Sequence, residues 1–457
     1  MGPERVSPPP RWLWYGCWTT ILLALLSLLA IFLFYTRVLT PGQRESAKNR
    51  IPFLAPLLEN FDPPLPPPDL RLPTPLPRDS DTSGEMLLTS PPLFLRTPSV
   101  TPSIIPPSPT TLPPTVTATL VPTALPTATP PTLTAQPGSE LPDRVDILVM
   151  NHQRQTWNNC GPANTTMALS YFGWKEDQTI AAAVLKPGGQ EDKNVSPSEI
   201  VDYIEKETGV RALYRVGGDI ELLRALVAAR FPVIIETGYS PEGYDWIGHY
   251  RTLAGYQHNT RQFLLYDSYL GSDESNGIIS QSYEDLDEHW RHFNRVYIVV
   301  YEPAREERVY AILGERLSEN RSAELALETA LAELRTQPTL GIAWFNAGAS
   351  LTLLGDYEEA VSYFDEARRH GIPWRMTWYR FTPYEAYHAV GRFADLNALL
   401  ASSLNAGGEY VEETYYWRGR LRESEGNRND ARYNYRTALI RNPNFEAARR
   451  ALESLDA

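Results

Sequence analysis

The chain has 457 residues, 42% hydrophobic and 21% charged, enough to bury cores in about three domains. Its formal net charge of −13 argues against a general nucleic-acid binder, whose surface is normally basic. Its two cysteines, Cys17 and Cys160, exclude a disulfide-stapled scaffold and any metal site built on several thiols.

Residues 1–11 form a short N-terminal tail, and no charged residue occurs from Trp12 to Thr36. A helix over 12–36 would rise roughly 37 Å, more than a ~30 Å hydrocarbon core. Trp12, Trp14, Tyr15 and Trp18 at one end, with Phe32, Phe34 and Tyr35 at the other, suit the two interfaces. The apolar run is too long for a signal peptide and is followed by TRVLTPGQ, not by a small-residue cleavage site. An uncleaved transmembrane helix over 12–36 is expected. Arg5 and Arg11 precede it, and Arg37, Arg44, Lys48 and Arg50 follow, so the charges favour neither orientation. A short tail is easily left inside, and the stretch that follows reads as a surface stalk. The expectation is a single-pass membrane protein, N-inside, with extracytoplasmic C-terminal domains. Cys17 within the span reads as a small packing residue.

Residues 37–140 are expected to be a Pro/Thr/Ser-rich, disordered stalk. Of the 40 prolines, 24 lie between Pro52 and Pro137, and no residue from Thr97 to Ser139 is charged. Repeated prolines fix φ and remove amide donors, which prevents both helix and central strand. Such a segment acts as a semi-rigid spacer.

The pattern then changes. Residues 145–150 read as a short strand, and HQRQTWNNCGPANTTMALSYFGW follows. Met167, Ala168, Leu169, Tyr171 and Phe172 predict a helix that starts near Cys160 and ends at Gly173. A thiol at a helix N-terminus ionises more readily than a free one, because the macrodipole stabilises an anion there. A base is still needed. Two further strands, 248–256 and 262–269, are joined by HisAsnThrArg and predict an antiparallel hairpin. His249 opens the first and Asp267 lies near the end of the second. Because side chains alternate, the two share a face only across an odd loop or past a bulge.

Gln155-Thr-Trp-Asn-Asn-Cys160-Gly-Pro-Ala, Gly248-His249-Tyr250 with Ala254-Gly255-Tyr256, and Tyr266-Asp267 together resemble the papain-like, bacteriocin-processing (C39-like) cysteine peptidases. The likeness is to the branch without an attached transporter and covers roughly 143–303. It implies an α+β papain-like domain in which Cys160 is the nucleophile, His249 the general base and Asp267 the group that orients the histidine. A glutamine upstream of the cysteine would serve the oxyanion hole: Gln155, five residues before it, with Gln153, seven before, as competitor. No cofactor or metal is implied. His152, His258, His289 and His292 read as surface or cap residues, and the Asn164-Thr-Thr acceptor triplet is discounted because it falls in the helix.

Elsewhere in this domain, Ser196-Pro197-Ser198-Glu199 is a capping box that opens a helix. Asp219 caps the next one, and Pro232-Val-Ile-Ile-Glu reads as a strand. A helix around AspLeuAspGluHisTrp and a closing strand ArgValTyrIleValValTyr follow.

Residues 305–457 are expected to be an all-α solenoid. Trp344, Ala347, Gly348, Leu351, Gly355, Tyr357, Ala360, Phe364, Ala367 and Pro373 resemble a tetratricopeptide repeat. Tyr415, Gly419, Gly426, Ala431, Tyr435, Ala438 and Pro443 make a second copy. Ala386, Gly391, Phe393 and Leu400 fit a degenerate one, and Ala326, Ala330 and Pro338 another. Such repeats imply a groove for a peptide or a protein partner. The whole reads as a membrane-anchored cysteine peptidase that hydrolyses peptide bonds. Alternatives are a catalytically silent tethered scaffold, or an acyl or amide transferase using the same thiolate.

Overall fold

A computed structural model describes residues 26–27, 29–34, 72–76, 141–189, 194–240, 245–272 and 275–456. Residues 1–11, most of the expected span and most of the stalk lie outside the described residues. Among the described residues no helix is long and apolar enough to cross a membrane.

The first half of the described chain is an antiparallel sheet sandwiched between helices. Its strands are β1 (Arg144–Val145), β2 (Arg211–Arg215), β3 (Val233–Tyr239), β4 (Ile247–Gln257), β5 (Gln262–Tyr266), β6 (Ile278–Ser282) and β7 (Tyr297–Tyr301). Their order is β2-β7-β3-β4-β5-β6, with β1 added beside β4. Central strands buried on both faces read as near-continuous apolar runs, and each sends alternate residues to opposite layers. Ile234 of β3 with Ile298 and Val300 of β7 face helices α1 (Cys160–Ser170), α2 (Gln178–Leu185) and α3 (Pro197–Glu207). Val233 and Ile235 with Tyr297, Val299 and Tyr301 face α4 (Ile220–Ala228), α5 (Tyr283–Trp290) and α6 (Glu306–Leu313). The capping box at Ser196 and Glu199 is present, and the Asp219 side chain accepts from Leu222 N at 2.7 Å.

Two details depart from the sequence reading, and the hairpin takes one of the two routes that reading allowed. The strand expected over 145–150 is reduced to β1. Beyond it Leu148 N donates to Ala254 O at 2.7 Å, where β4 bulges, and Leu148 and Met150 fill a small core with Met167 and Tyr266. Helix α2 and strands β2 and β6 carry weak period signals and were not anticipated. The β4–β5 hairpin has an even, four-residue loop, since Gln257 pairs with Gln262, so the parity needed by His249 and Asp267 comes from the bulge between Leu253 and Gly255. A Cβ on Gly255 would lie 2.7 Å from Val145 O, so the bulge packs against β1 only with glycine there.

The second half is helical: α7 (Glu319–Thr336), α8 (Gly341–Leu353), α9 (Tyr357–His370), α10 (Thr382–Ala389), α11 (Phe393–Asn405), α12 (Glu412–Ser424), α13 (Arg428–Arg441) and α14 (Glu446–Asp456). Its core is continuous with the sheet domain through Trp246, Phe293 and Val296. Residues 72–76 of the stalk also join it, because Leu72 is buried in the same cluster. For these five residues the spacer reading is corrected, and they are packed rather than free.

Candidate active site

Helix α1 is buried nearly all round, its polar Asn164, Thr165 and Thr166 included, and is wedged between the sheet and α2–α3 against the interior strand β4. Cys160 is its first residue and is half-buried at the floor of a cleft of about 310 Å³. The first amides of a helix have no intrahelical partner, so they face the cleft mouth as donors.

His249 is buried on β4 and its Nε2 donates to Asp267 Oδ1 at 2.9 Å. With Nε2 engaged, Nδ1 is the ring nitrogen left for the Cys160 thiol, with which His249 is hydrogen-bonded. The register explains the meeting. Thr252 pairs with Tyr266, so Asp267 lies opposite Arg251 and diagonal to His249 on the same face. Tyr239 and Tyr269 flank the imidazole, each edge-on at 6.2 Å between ring centres.

Asp267 is fully buried, and its charge is saturated with donors. Arg251 Nε donates to its Oδ2 at 2.9 Å, and the amides of Tyr269 and Leu270 each donate to its Oδ1 at 2.8 Å. Burial would raise its pKa, but His249 and then Arg251 hold it well below the usual carboxylate range. Burial likewise disfavours the His249 imidazolium, yet Asp267 and then Cys160 offset this and hold the ring up at about 9. For Cys160, burial pushes the thiol up, and the hydrogen bond and charge of His249, with Lys186 further off, bring it below its ordinary value. The two directions agree: the pair favours thiolate and imidazolium.

The two glutamines part ways. Gln155 lines the cleft and its Oε1 accepts from Ser268 Oγ at 2.8 Å, which leaves its Nε2 as the donor beside Cys160. Gln153 turns away. Its Oε1 accepts from Gln178 N at 2.7 Å, capping α2 in a neighbouring depression. The structure therefore removes Gln153 from the oxyanion position.

Several residues of the site were not singled out beforehand. Arg251 follows His249 by two and so shares its face by strand alternation, a legible signal. Asn164, four residues after Cys160, is fully buried and its Nδ2 donates to Cys160 O, Tyr250 O and Ser268 Oγ, stitching α1 to β4. Lys186 is buried and donates to Asn158 O at 2.7 Å, holding the loop before the thiol. Arg375, Trp378 and Tyr379, between α9 and α10, complete the cleft wall opposite Trp157 and Tyr269. No local pattern could have put them there.

The other histidines are structural rather than superficial. His152 Nε2 donates to Asp267 O at 3.2 Å, and His292 Nδ1 accepts from Trp246 Nε1 at 3.0 Å. His289 stacks on Tyr239. Among the described residues no group of three His, Cys, Asp or Glu side chains could hold a metal ion.

Residues 145–298 match the family described as the Peptidase_C39 like family. Among solved structures, a Bacillus anthracis chain described as a C39-like peptidase is similar at 18% identity and TM-score 0.29. That match covers 35% of this chain and 98% of the other. The peptidase domain of Streptococcus ComA, a bifunctional ABC transporter, is similar at 17% identity and TM-score 0.26, covering 34% and 97%. No curated protein matches the chain.

Proposed function

We propose that this protein is a membrane-anchored cysteine peptidase that cleaves peptide bonds through Cys160, His249 and Asp267, with a tetratricopeptide-type domain that walls its cleft. The observation that carries this reading is the Asp267–His249–Cys160 line at the floor of an open cleft. Cys160 thiolate attacks the scissile carbonyl carbon, and the carbonyl π pair moves onto oxygen. The Gln155 amide and the Cys160 N–H donate to that oxyanion. His249 gives its proton to the leaving amine as the C–N bond breaks. It then takes a proton from the water that attacks the thioester carbonyl; the C–S bond breaks, the acid leaves, and the thiolate–imidazolium pair is restored. Asp267 keeps Nε2 protonated, so that Nδ1 does this work.

For the helical region, the repeat reading is supported by paired packing. A Cβ on Gly348 would lie 3.0 Å from Phe364, and one on Gly419 2.4 Å from Tyr435. Both pairs are 16 residues apart (348 to 364 and 419 to 435) on successive packed helices, and the second reproduces the first further along the chain. Aromatic Trp378 and Tyr379 favour substrates with apolar residues near the scissile bond.

The test is the pH dependence of iodoacetamide alkylation in full-length Cys17→Ser protein, where Cys160 is the remaining thiol. An apparent pKa well below the free value of about 8.5, raised again in His249→Ala, is expected. Alkylation that follows an ordinary thiol in both variants would overturn the reading.

A further inference from the structure

The structure assigns a peptide seat on the second-helix side of the helical region, away from the active-site cleft, and its occupant is the protein's own stalk segment Leu72–Leu76. The observation is a two-point clamp on the backbone of Leu72-Pro73-Thr74-Pro75-Leu76. Arg368 Nε of α9 donates to Pro73 O at 2.6 Å, and Leu76 N donates to Asp395 Oδ1 of α11 at 3.2 Å. Just before the first point Leu72, 4% exposed, is buried in the helical core, and between the two Pro75 is buried as well.

The clamp is built rather than incidental. Arg368 and Asp395 are themselves buried and belong to a charge-balanced cluster of two arginines and two aspartates. Arg368 Nη1 donates to Asp395 Oδ1 at 2.8 Å and to Tyr387 Oη at 3.0 Å. Arg392 donates to Asp365 Oδ2 at 2.5 Å and to Asp395 Oδ2 at 2.6 Å, and Tyr387 Oη donates to Asp365 Oδ1 at 2.7 Å. Such a frame fixes one charge-assisted donor and one charge-assisted acceptor at a set spacing. Arg368 Nη2 is also buried with no hydrogen-bond partner among the described residues, a donor still open to a longer ligand.

The ligand chemistry follows from what is read. Only a carbonyl, an amide, one leucine and one proline ring are engaged, while Thr74 and Leu76 side chains stay exposed. Prolines at 73 and 75 hold their own φ, and they bias Leu72 and Thr74 to extended backbone. The segment is therefore pre-shaped, and little order is lost on docking. The seat fits an extended Leu-Pro-x-Pro-x peptide. Because seat and ligand share one chain, binding is intramolecular, with an effective concentration of up to millimolar order. A peptide in solution must compete with that. The seat itself does not depend on the peptidase reading.

The test uses full-length protein in detergent and a fluorescein-labelled peptide of residues 70–78. Leu72→Asp releases the segment without altering any helix, so its far-UV circular dichroism should match wild type even where the undocked segment lowers the melting transition. The variant should bind the free peptide at least tenfold more tightly than wild type does, and Leu72→Asp with Arg368→Ala should lose that binding. Amide exchange at Leu76 should be slow in wild type and faster in Leu72→Asp. Equal peptide binding by wild type and Leu72→Asp, or no binding by either, overturns the proposal. So does a Leu76 amide that exchanges equally fast in both.

Discussion

Among the described residues, two buried clusters share arginine and aspartate and behave differently. In the sheet domain Asp267 takes donors from His249 and Arg251, and the line ends in a half-buried thiol that opens to a cleft. In the helical region Arg368, Asp365, Arg392 and Asp395 neutralise one another with Tyr387, and no nucleophile is attached. Burying charge therefore does not by itself make a reaction centre. The first cluster is asymmetric: one carboxylate faces a histidine whose other nitrogen meets a titrating thiol. The second is closed, and what it presents to the docked segment is the Arg368 Nε donor and the Asp395 Oδ1 acceptor, with Arg368 Nη2 beside them.

The largest effect that would sharpen this contrast is Cys160→Ala. Peptide turnover, followed by mass spectrometry on a peptide library, should fall about 10⁴-fold or more while the melting transition is nearly unchanged. A large loss of stability would assign Cys160 to packing instead. Asp267→Asn should lower turnover by about 10³–10⁴-fold by favouring the wrong imidazole tautomer. Unaffected turnover would remove Asp267 from the set.

Breaking the closed cluster should read out differently. Asp365→Ala leaves Arg368 and Arg392 with Asp395 as their shared carboxylate and should cost about 3–5 kcal/mol in denaturant unfolding, because one positive charge is left buried without a counter-charge. The alkylation pKa of Cys160 should not move. If it does, the two clusters are coupled and the comparison fails. Gln155→Ala should reduce turnover about 10²–10³-fold, the usual size for one oxyanion donor. Gln153→Ala should leave turnover intact and cost about 1 kcal/mol through the lost cap on α2. Equal effects of the two would return Gln153 to the site.

The smallest effect is on pH. His249 is held at about 9, above its unfolded value, so its contribution to stability is fully present below about 6.5. That contribution is lost as pH rises through about 9. Urea titrations from pH 6 to 10 should show wild type losing more stability over this window than His249→Gln. Turnover should decline over the same window, because the proton for the leaving amine is gone. Parallel stability curves would mean that the imidazolium is not held by Asp267.

How much of this was legible beforehand depends on the range of the interaction. Cys160 at a helix start, His249 on a strand and Asp267 near a strand end follow from local patterns. So do the caps at Ser196 and Asp219 and the small and aromatic positions of the helical region. Each rests on residues within a few positions of one another, where periodicity and capping chemistry act. The parity problem of the hairpin was legible as a condition, but not its solution. The loop is even, and the extra residue is Ala254, unpaired between Leu253 and Gly255, where β1 passes too close to Gly255 for any Cβ. The choice between Gln155 and Gln153 was likewise undecided by spacing and rests on their partners, Ser268 Oγ and Gln178 N.

What the sequence by itself determined is the set of chemical types and their local geometry: a thiol at a helix N-terminus, a base on a strand, a proline-rich stretch, helix pairs with small-residue contacts. Only the tertiary structure decided which distant groups complete them. Arg375, Trp378 and Tyr379 reach the cleft from the helical region, and Leu72 is buried nearly three hundred residues along the chain from the arginine that holds its neighbour. The physical reason is that such contacts are set by how whole layers pack, and burial of a side chain depends on surfaces that no local periodicity encodes.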